Sequence, residues 1–294
     1  MFDLRYHVAS LAAVFLALII GILVGAGLAS RTDLEQSERA VLERRIAELE
    51  RANEDFGAQA DLLRRQRDAA EEYVDATYPA LMNGRLRGKR VAMLFTGQTD
   101  DGTIDTLQQT LEDASGPGIV EREALELPVN PEEVMDALGP QFSGLTMDEV
   151  GRRFGEELVE GGDTPVLDAL IPILVQDRRG NPAVEADAVV VAHTGVPTDA
   201  PTRMFLEGVY AGLRASGVPV VGIERTDQRP SRIATYKENG ISSVDSVDRP
   251  IGKLALALLL AGGAEGHYGL KSTAEDGTVP VPVEPLPLAP LAGG

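Results

Sequence analysis

The chain has 294 residues, no cysteine, and a formal charge of −19 from 27 Lys plus Arg against 46 Asp plus Glu. That balance disfavours nucleic acid as a partner and docking of the folded part onto anionic lipid, since both need a basic surface. Without thiols the chain can hold no disulfide, Fe–S cluster, Cys-type zinc site or thiol nucleophile, and its apolar fraction of 44 % is that of an ordinary folded protein.

Val8 to Ala29 reads VASLAAVFLALIIGILVGAGLA, with no charged residue. As a helix this run covers about 33 Å, which matches a hydrocarbon core of roughly 30 Å. A cleaved signal peptide is the competing reading, because Gly27-Leu28-Ala29 before Ser30 loosely resembles a cleavage site. Signal cores are shorter and follow a basic segment, whereas only Arg5 beside Asp3 precedes this one. Residues 1–30 are therefore expected to be an uncleaved membrane anchor, solvated by lipid. Ala9, Ala13, Ala17, Gly21, Gly25 and Ala29 recur at every fourth position. Such a seam lets two helix backbones approach closely in a bilayer. Positive charge lies mostly on the C-terminal flank, at Arg31, Arg39, Arg44 and Arg45. This mildly favours a cytoplasmic stalk, but long domains translocate largely regardless of charge.

Residues 31–78 read as a coiled-coil stalk. Thr32 and Asp33 offer N-cap oxygens ahead of Glu35 and Glu38, and the helical pattern runs to about Thr77, before Tyr78-Pro79. Leu42, Leu49, Phe56, Leu63 and Ala70 fall at d of a heptad; Arg39, Ile46, Asn53, Ala60, Arg67 and Val74 fall at a. A lone Asn at a fixes register in parallel dimers. A parallel homodimer through the span and the coil is expected, with a straight stalk of roughly 65 Å. The alternative is a single amphipathic helix packed on its own domain, since Gly57, Arg39 and Arg67 interrupt the seam.

Residues 87–271 carry the pattern of an α/β domain. Strands are expected at Lys89 to Phe95, Gly118 to Arg122, Ala186 to His193, Val218 to Ile223 and near Val244 to Val247. Between them, helices are expected after Gly97 (inward face Ile104, Leu107, Leu111), over Pro131 to Leu138, Thr146 to Glu160, Pro165 to Val175, Thr202 to Ser216 and Arg249 to Ala261. This alternation predicts an open, mostly parallel sheet with right-handed crossovers. Residues 272–294, rich in Pro, Gly and Ala, read as a flexible tail.

Ligands of such sheets bind beyond the carboxyl ends of the strands. Gly97, Asp101, His193, Thr194 and Glu224 define that crevice here. His193, placed near carboxylates, is the candidate acid/base or metal ligand; a structural strand-end role competes with both. No GxGxxG, GxxxxGK[ST] or GxSxG occurs, so dinucleotide, P-loop and nucleophile-elbow sites are unsupported. His267 reads as part of a turn after the last helix. Arg203 and Arg229 near the same edge could bind an anion or simply face solvent.

The segment LRYHVASLAAVFLALIIGILVGAGL resembles the start of the actinobacterial copper-transport family MctB. The stretches ADAVVVAHTGVP, GLRASGVPVVGIE and GHYGLKSTAEDG resemble the same family's later parts, so the resemblance spans about residues 1 to 285. It implies a role in copper homeostasis, described in the family as efflux through the mycobacterial outer membrane, and an extracytoplasmic α/β domain. No cofactor is read from the residues; copper is implied by the resemblance alone. Copper(I) favours thiolate and thioether ligands, whereas this chain has no Cys, 6 Met and 3 His, with no Met-x-x-Met or His-x-His cluster. No set of alternating ten-residue segments suggests a barrel. A second reading is a non-enzymatic dimeric envelope scaffold that regulates an envelope protein partner, either a membrane partner or a peptidoglycan hydrolase; the third is an enzyme acting at the strand-end crevice.

Overall fold

The structure, a computed structural model, describes residues 4–180, 184–195 and 199–281, with side chains over 7–26 and from 41 onward. The chain divides into two compact units, residues 1–71 and 72–294.

Helix α1 (Leu4–Met82) makes up the first unit and contributes its last turns to the second. Its stretch His7–Ala26 is long and apolar enough to cross a membrane, and none of it is buried against protein. The expected helix start at Thr32–Asp33 is not there. The backbone is helical straight through these residues, so their N–H groups bond to the preceding turn and need no cap. The side chains of Thr32, Asp33, Glu35, Glu38, Arg39 and Ala29 lie outside the described residues. Nor does the helix stop before Tyr78-Pro79. Pro79 sits in the last turn, where only one ladder bond is lost, and Asn83 N–H still donates to Pro79 O at 3.1 Å. Tertiary contacts outweigh the proline: Tyr78 Oη donates to Asp113 at 2.7 Å, and Met82 is fully buried.

The second unit is a seven-stranded sheet in the order β3-β2-β1-β4-β5-β6-β7. Its strands are β1 (Val91–Thr96), β2 (Ile119–Leu125), β3 (Val175–Gly180), β4 (Ala188–Ala192), β5 (Val220–Ile223), β6 (Ser242–Val244) and β7 (His267–Tyr268). All pairings are parallel except β2 with β3. The helices are α2 (Asp101–Asp113), α3 (Pro131–Leu138), α4 (Met147–Glu160), α5 (Pro165–Leu174), α6 (Ala200–Ala215), α7 (Ile233–Glu238) and α8 (Pro250–Leu260). Alternate residues of β1 and β4 feed two cores. Leu94, Val189 and Val191 pack with α3 to α6, while Met93, Phe95 and Val190 pack with α2, α8 and the end of α1. A strand buried on both faces must be apolar at every position, which is why AVVVA in β4 has no alternation.

Two sequence expectations are corrected here. His267 does not sit in a turn: it begins β7 and pairs with Ser243 of β6. Residues 272–281 are not a loose tail, because Asp276 bonds back to His267 through backbone and carboxylate, and Val279 packs on the core. The remainder, 282–294, lies outside the described residues. Strand β3 and helix α7 were not foreseen.

The tightest packing in the unit is between α4 and α6. Gly151 and Gly155 of α4 face Gly208 and Gly212 of α6, a GxxxG pair on each helix. A Cβ on Gly151 would lie 2.0 Å from Phe205 O, and one on Gly155 2.3 Å from Val209 O. The backbones thus touch, and Phe154 packs edge-on against Phe205 with ring centroids 5.8 Å apart.

Gly155→Ala tests this contact. On an open helix the change would stabilise by about 1 kcal/mol through propensity; here overpacking should destabilise the unit by about 1–3 kcal/mol. Gly57→Ala, where a Cβ meets nothing within 4 Å, should instead gain helicity. Thermal unfolding and far-UV circular dichroism read both effects.

Candidate functional site at the carboxyl edge of the sheet

The chain from β1 passes through α2 to reach β2 on one side, while β4 leads through α6 to β5 on the other. The carboxyl ends of β1 and β4 therefore flank the point where the winding reverses, the place where doubly wound sheets bind ligands. A cleft of about 470 Å3 opens there, bordered by Gly97, Asp100, Leu127, Gln176, Thr194 and Gly195.

Of the crevice residues read from sequence, Gly97, His193 and Thr194 come together. Gly195 N–H donates to Thr96 O at 2.7 Å, and Thr194 Oγ1 donates to Gln98 O at 2.6 Å. A Cβ on Gly97, whose φ is +124°, would lie 2.4 Å from Gly195 N, so the two strand ends close on each other through glycine. Asp101 stands apart, exposed at the start of α2. Beside it, Asp100 caps α2, its carboxylate accepting from Thr103 N at 2.8 Å. A phosphate would need that amide among others; here the protein's own carboxylate holds it.

His193 does not lie among carboxylates. It is buried, with Nδ1 shared between the hydroxyls of Thr96 at 2.5 Å and Tyr210 at 3.2 Å. Its backbone N–H donates to Tyr236 Oη at 2.8 Å, and Gln228 Nε2 donates to its carbonyl at 3.1 Å. Burial, with the charge of Arg232 adding, pushes its pKa down to about 4. The ring is thus neutral at pH 7 and tied into the core by hydroxyls. Among the described residues no three His, Cys, Asp or Glu side chains converge as a metal-ligating group.

Glu224 belongs to a different cluster at the ends of β5 and β6. Fully enclosed, it accepts from Lys271 Nζ at 2.6 Å, from Ser231 Oγ at 3.0 Å and from Arg232 N–H at 2.7 Å. Asp245, equally buried, accepts from Leu270 N–H at 2.8 Å. Gly269 must be glycine, because a Cβ would fall 2.2 Å from the Asp245 carboxyl carbon. The segment from His267 to Asp276 is therefore strapped across the sheet edge by buried carboxylates. Arg229 donates to the carbonyls of Thr226 and Gln228 at 3.2 and 2.8 Å, so its guanidinium is directed at backbone; Arg203 is exposed.

One group escaped sequence reasoning altogether. Glu121 and Glu123 alternate onto one face of β2, are 1 % and 0 % exposed, and share a single cation, Arg178 of β3, at 3.3 and 3.4 Å. Both carboxylate oxygens of Glu123 lack a hydrogen bond. Burial, reinforced by the neighbouring charge of Glu121, pushes the Glu123 pKa up to about 8. Charged residues in a strand ordinarily mark its solvent face; only the β2–β3 pairing shows that these two are covered.

Geometry and sequence pattern together define a class: a doubly wound α/β unit, its strand-end crevice laced by its own hydrogen bonds, on a chain that opens with an apolar helix. The model of the family described as "Copper transport outer membrane protein, MctB" matches residues 1–123 and 155–279, and the chain belongs to that family. Proteins named "Copper transporter MctB" from Mycobacterium bovis and Mycobacterium tuberculosis are 29 % identical over 315 aligned positions, covering 92 % of this chain and 96 % of theirs. Helix α4 lies largely in the part that the family model leaves unmatched.

The Glu123 pKa stands above its ordinary value of 4.5. Its contribution to stability is complete below about pH 4.5 and is lost as pH rises through about 8. Glu123→Gln, neutral throughout, should unfold at a higher temperature than the parent at pH 8, with the gap closing toward pH 5. Calorimetric melting across that window checks it.

Proposed function

We propose that the chain serves copper homeostasis in the cell envelope, as a single-pass membrane protein with its α/β unit on the extracytoplasmic side. The observation that carries this reading is the match to the mycobacterial copper transporters over nearly the full length of both partners. An unbroken N-terminal helix with an exposed apolar stretch supports the membrane assignment. The family is described by transport, and the crevice supports no catalytic assignment: its histidine is neutral and held in the core by hydroxyls, and its helix N-terminus is capped by Asp100.

Copper enters this reading as cargo. Soft copper(I) prefers sulfur ligands; the chain has no cysteine, and Met82 and Met93 are enclosed in the core. Among the described residues no three His, Cys, Asp or Glu side chains form a metal-ligating group, while Met204 is exposed, and the unit's part in copper handling is read as structural or mediated by contacts.

In the organism that carries it, deletion of the chain should raise cell-associated copper and lower the copper concentration at which growth stops. The full chain should restore both; the chain without residues 1–31 should not. Unchanged copper content and tolerance in the deletion strain would overturn the proposal. Elemental analysis of washed cells and growth curves in graded copper supply the readouts.

A further inference from the structure

Within residues 41–71, Leu42, Ile46, Leu49, Phe56 and Leu63 are 58, 54, 70, 69 and 64 % exposed. All five stand at a or d of one heptad frame. Covering a single such side chain is worth about 1.5–3 kcal/mol, so a stripe of this kind is expected to be met by a partner helix.

Three features say which partner. One flanking pair is complementary in a parallel dimer, Arg45 at g meeting Glu50 at e of the other chain, while the pair before it, Glu38 with Glu43, opposes like charges. The following pairs, Ala52 with Gly57, Gln59 with Arg64 and Gln66 with Glu71, never oppose like charges. The one described cation at an a position, Arg67, brings its own neutralisation, with Asp68 at 2.6 Å and Glu71 at 3.8 Å on the same helix. Finally, Ala13 and Ala17 of the span share a side of the helix with the heptad stripe, while Gly21 and Gly25 drift off it toward positions equivalent to Gly57 and Asp61. Helix α1 is unbroken, and about ten turns of 3.6 residues separate Ala13 from Leu49 and Ala17 from Asn53.

We infer that the partner is a second copy of this chain, parallel and in register, along one interface that begins in the span and continues through the coil. Asn53, at a, pairs with its own counterpart and fixes the register. This inference stands apart from the copper reading and is tested without it.

The chain contains no cysteine, so single cysteines report proximity without background. In the full chain, in native membranes, Leu42→Cys, Leu49→Cys and Leu63→Cys stand at d; Arg51→Cys and Arg65→Cys stand on the opposite face. Brief oxidation should cross-link all three d-position variants into dimers, at least about five-fold more than the outer-face variants, because facing d residues lie within disulfide reach. Cross-linking at only one d position would mean antiparallel pairing. Equal yields on both faces would mean random collision, and an adduct of another size would mean a different partner. Each of these overturns the inference. Because a cysteine at d weakens the seam, the unaltered chain in lipid nanodiscs should also weigh two protomers; a one-protomer mass overturns it as well.

Discussion

Twenty residues, His7 to Ala26, form a helical stretch that no part of the protein covers. Its large apolar side chains, from Val8 to Val24, are 53–67 % exposed. In water such a surface orders solvent along its whole length; in a bilayer it costs nothing and the helical backbone satisfies itself. Each Val, Leu, Ile or Phe near the membrane centre favours insertion by about 0.3–0.6 kcal/mol, so this run contributes on the order of several kcal/mol. Everything else assigned to the chain, including its pairing and its place in the envelope, presupposes that lipid takes up this surface.

The α/β unit shows a different economy. Its carboxyl edge has the topology of a ligand-binding crevice, but the groups that would greet a ligand are already engaged. Asp100 holds the Thr103 amide of α2, Thr194 reaches across to Gln98, and Glu224 and Asp245 fix the segment that follows β7. A buried pair such as Glu224 with Lys271 adds little net stability over an apolar contact, yet either partner alone would be a costly buried charge. Such a network therefore holds the strap in one arrangement.

The parallel strands and their helices were legible because periodicity reports burial. AVVVA can only be a strand covered on both faces, and the spacing of Ile104, Leu107 and Leu111 can only be a helix covered on one. Edge elements were not. VQDRRG of β3 carries no apolar alternation, since it is an antiparallel margin whose Asp177 and Arg178 pair with charges on β2. His267 and Tyr268 form too short a strand to leave a pattern. Pro79 looked like a stop because local rules outrank distant ones on paper, whereas Tyr78 and Met82 find core contacts that hold the last turn. At the candidate site, strand ends placed Gly97, His193 and Thr194 together, but sequence could not tell that His193 is met by hydroxyls. The GxxxG pairs of α4 and α6 were equally hidden, because a small-residue motif announces close approach without naming its partner.

The most direct test of the account is extraction of the full chain from membranes of its host with alkaline carbonate and then with detergent. The account predicts that the chain stays with the membrane through carbonate and leaves only with detergent. Release by carbonate alone would contradict it, because a surface-bound or processed protein, not one solvated by lipid, behaves that way.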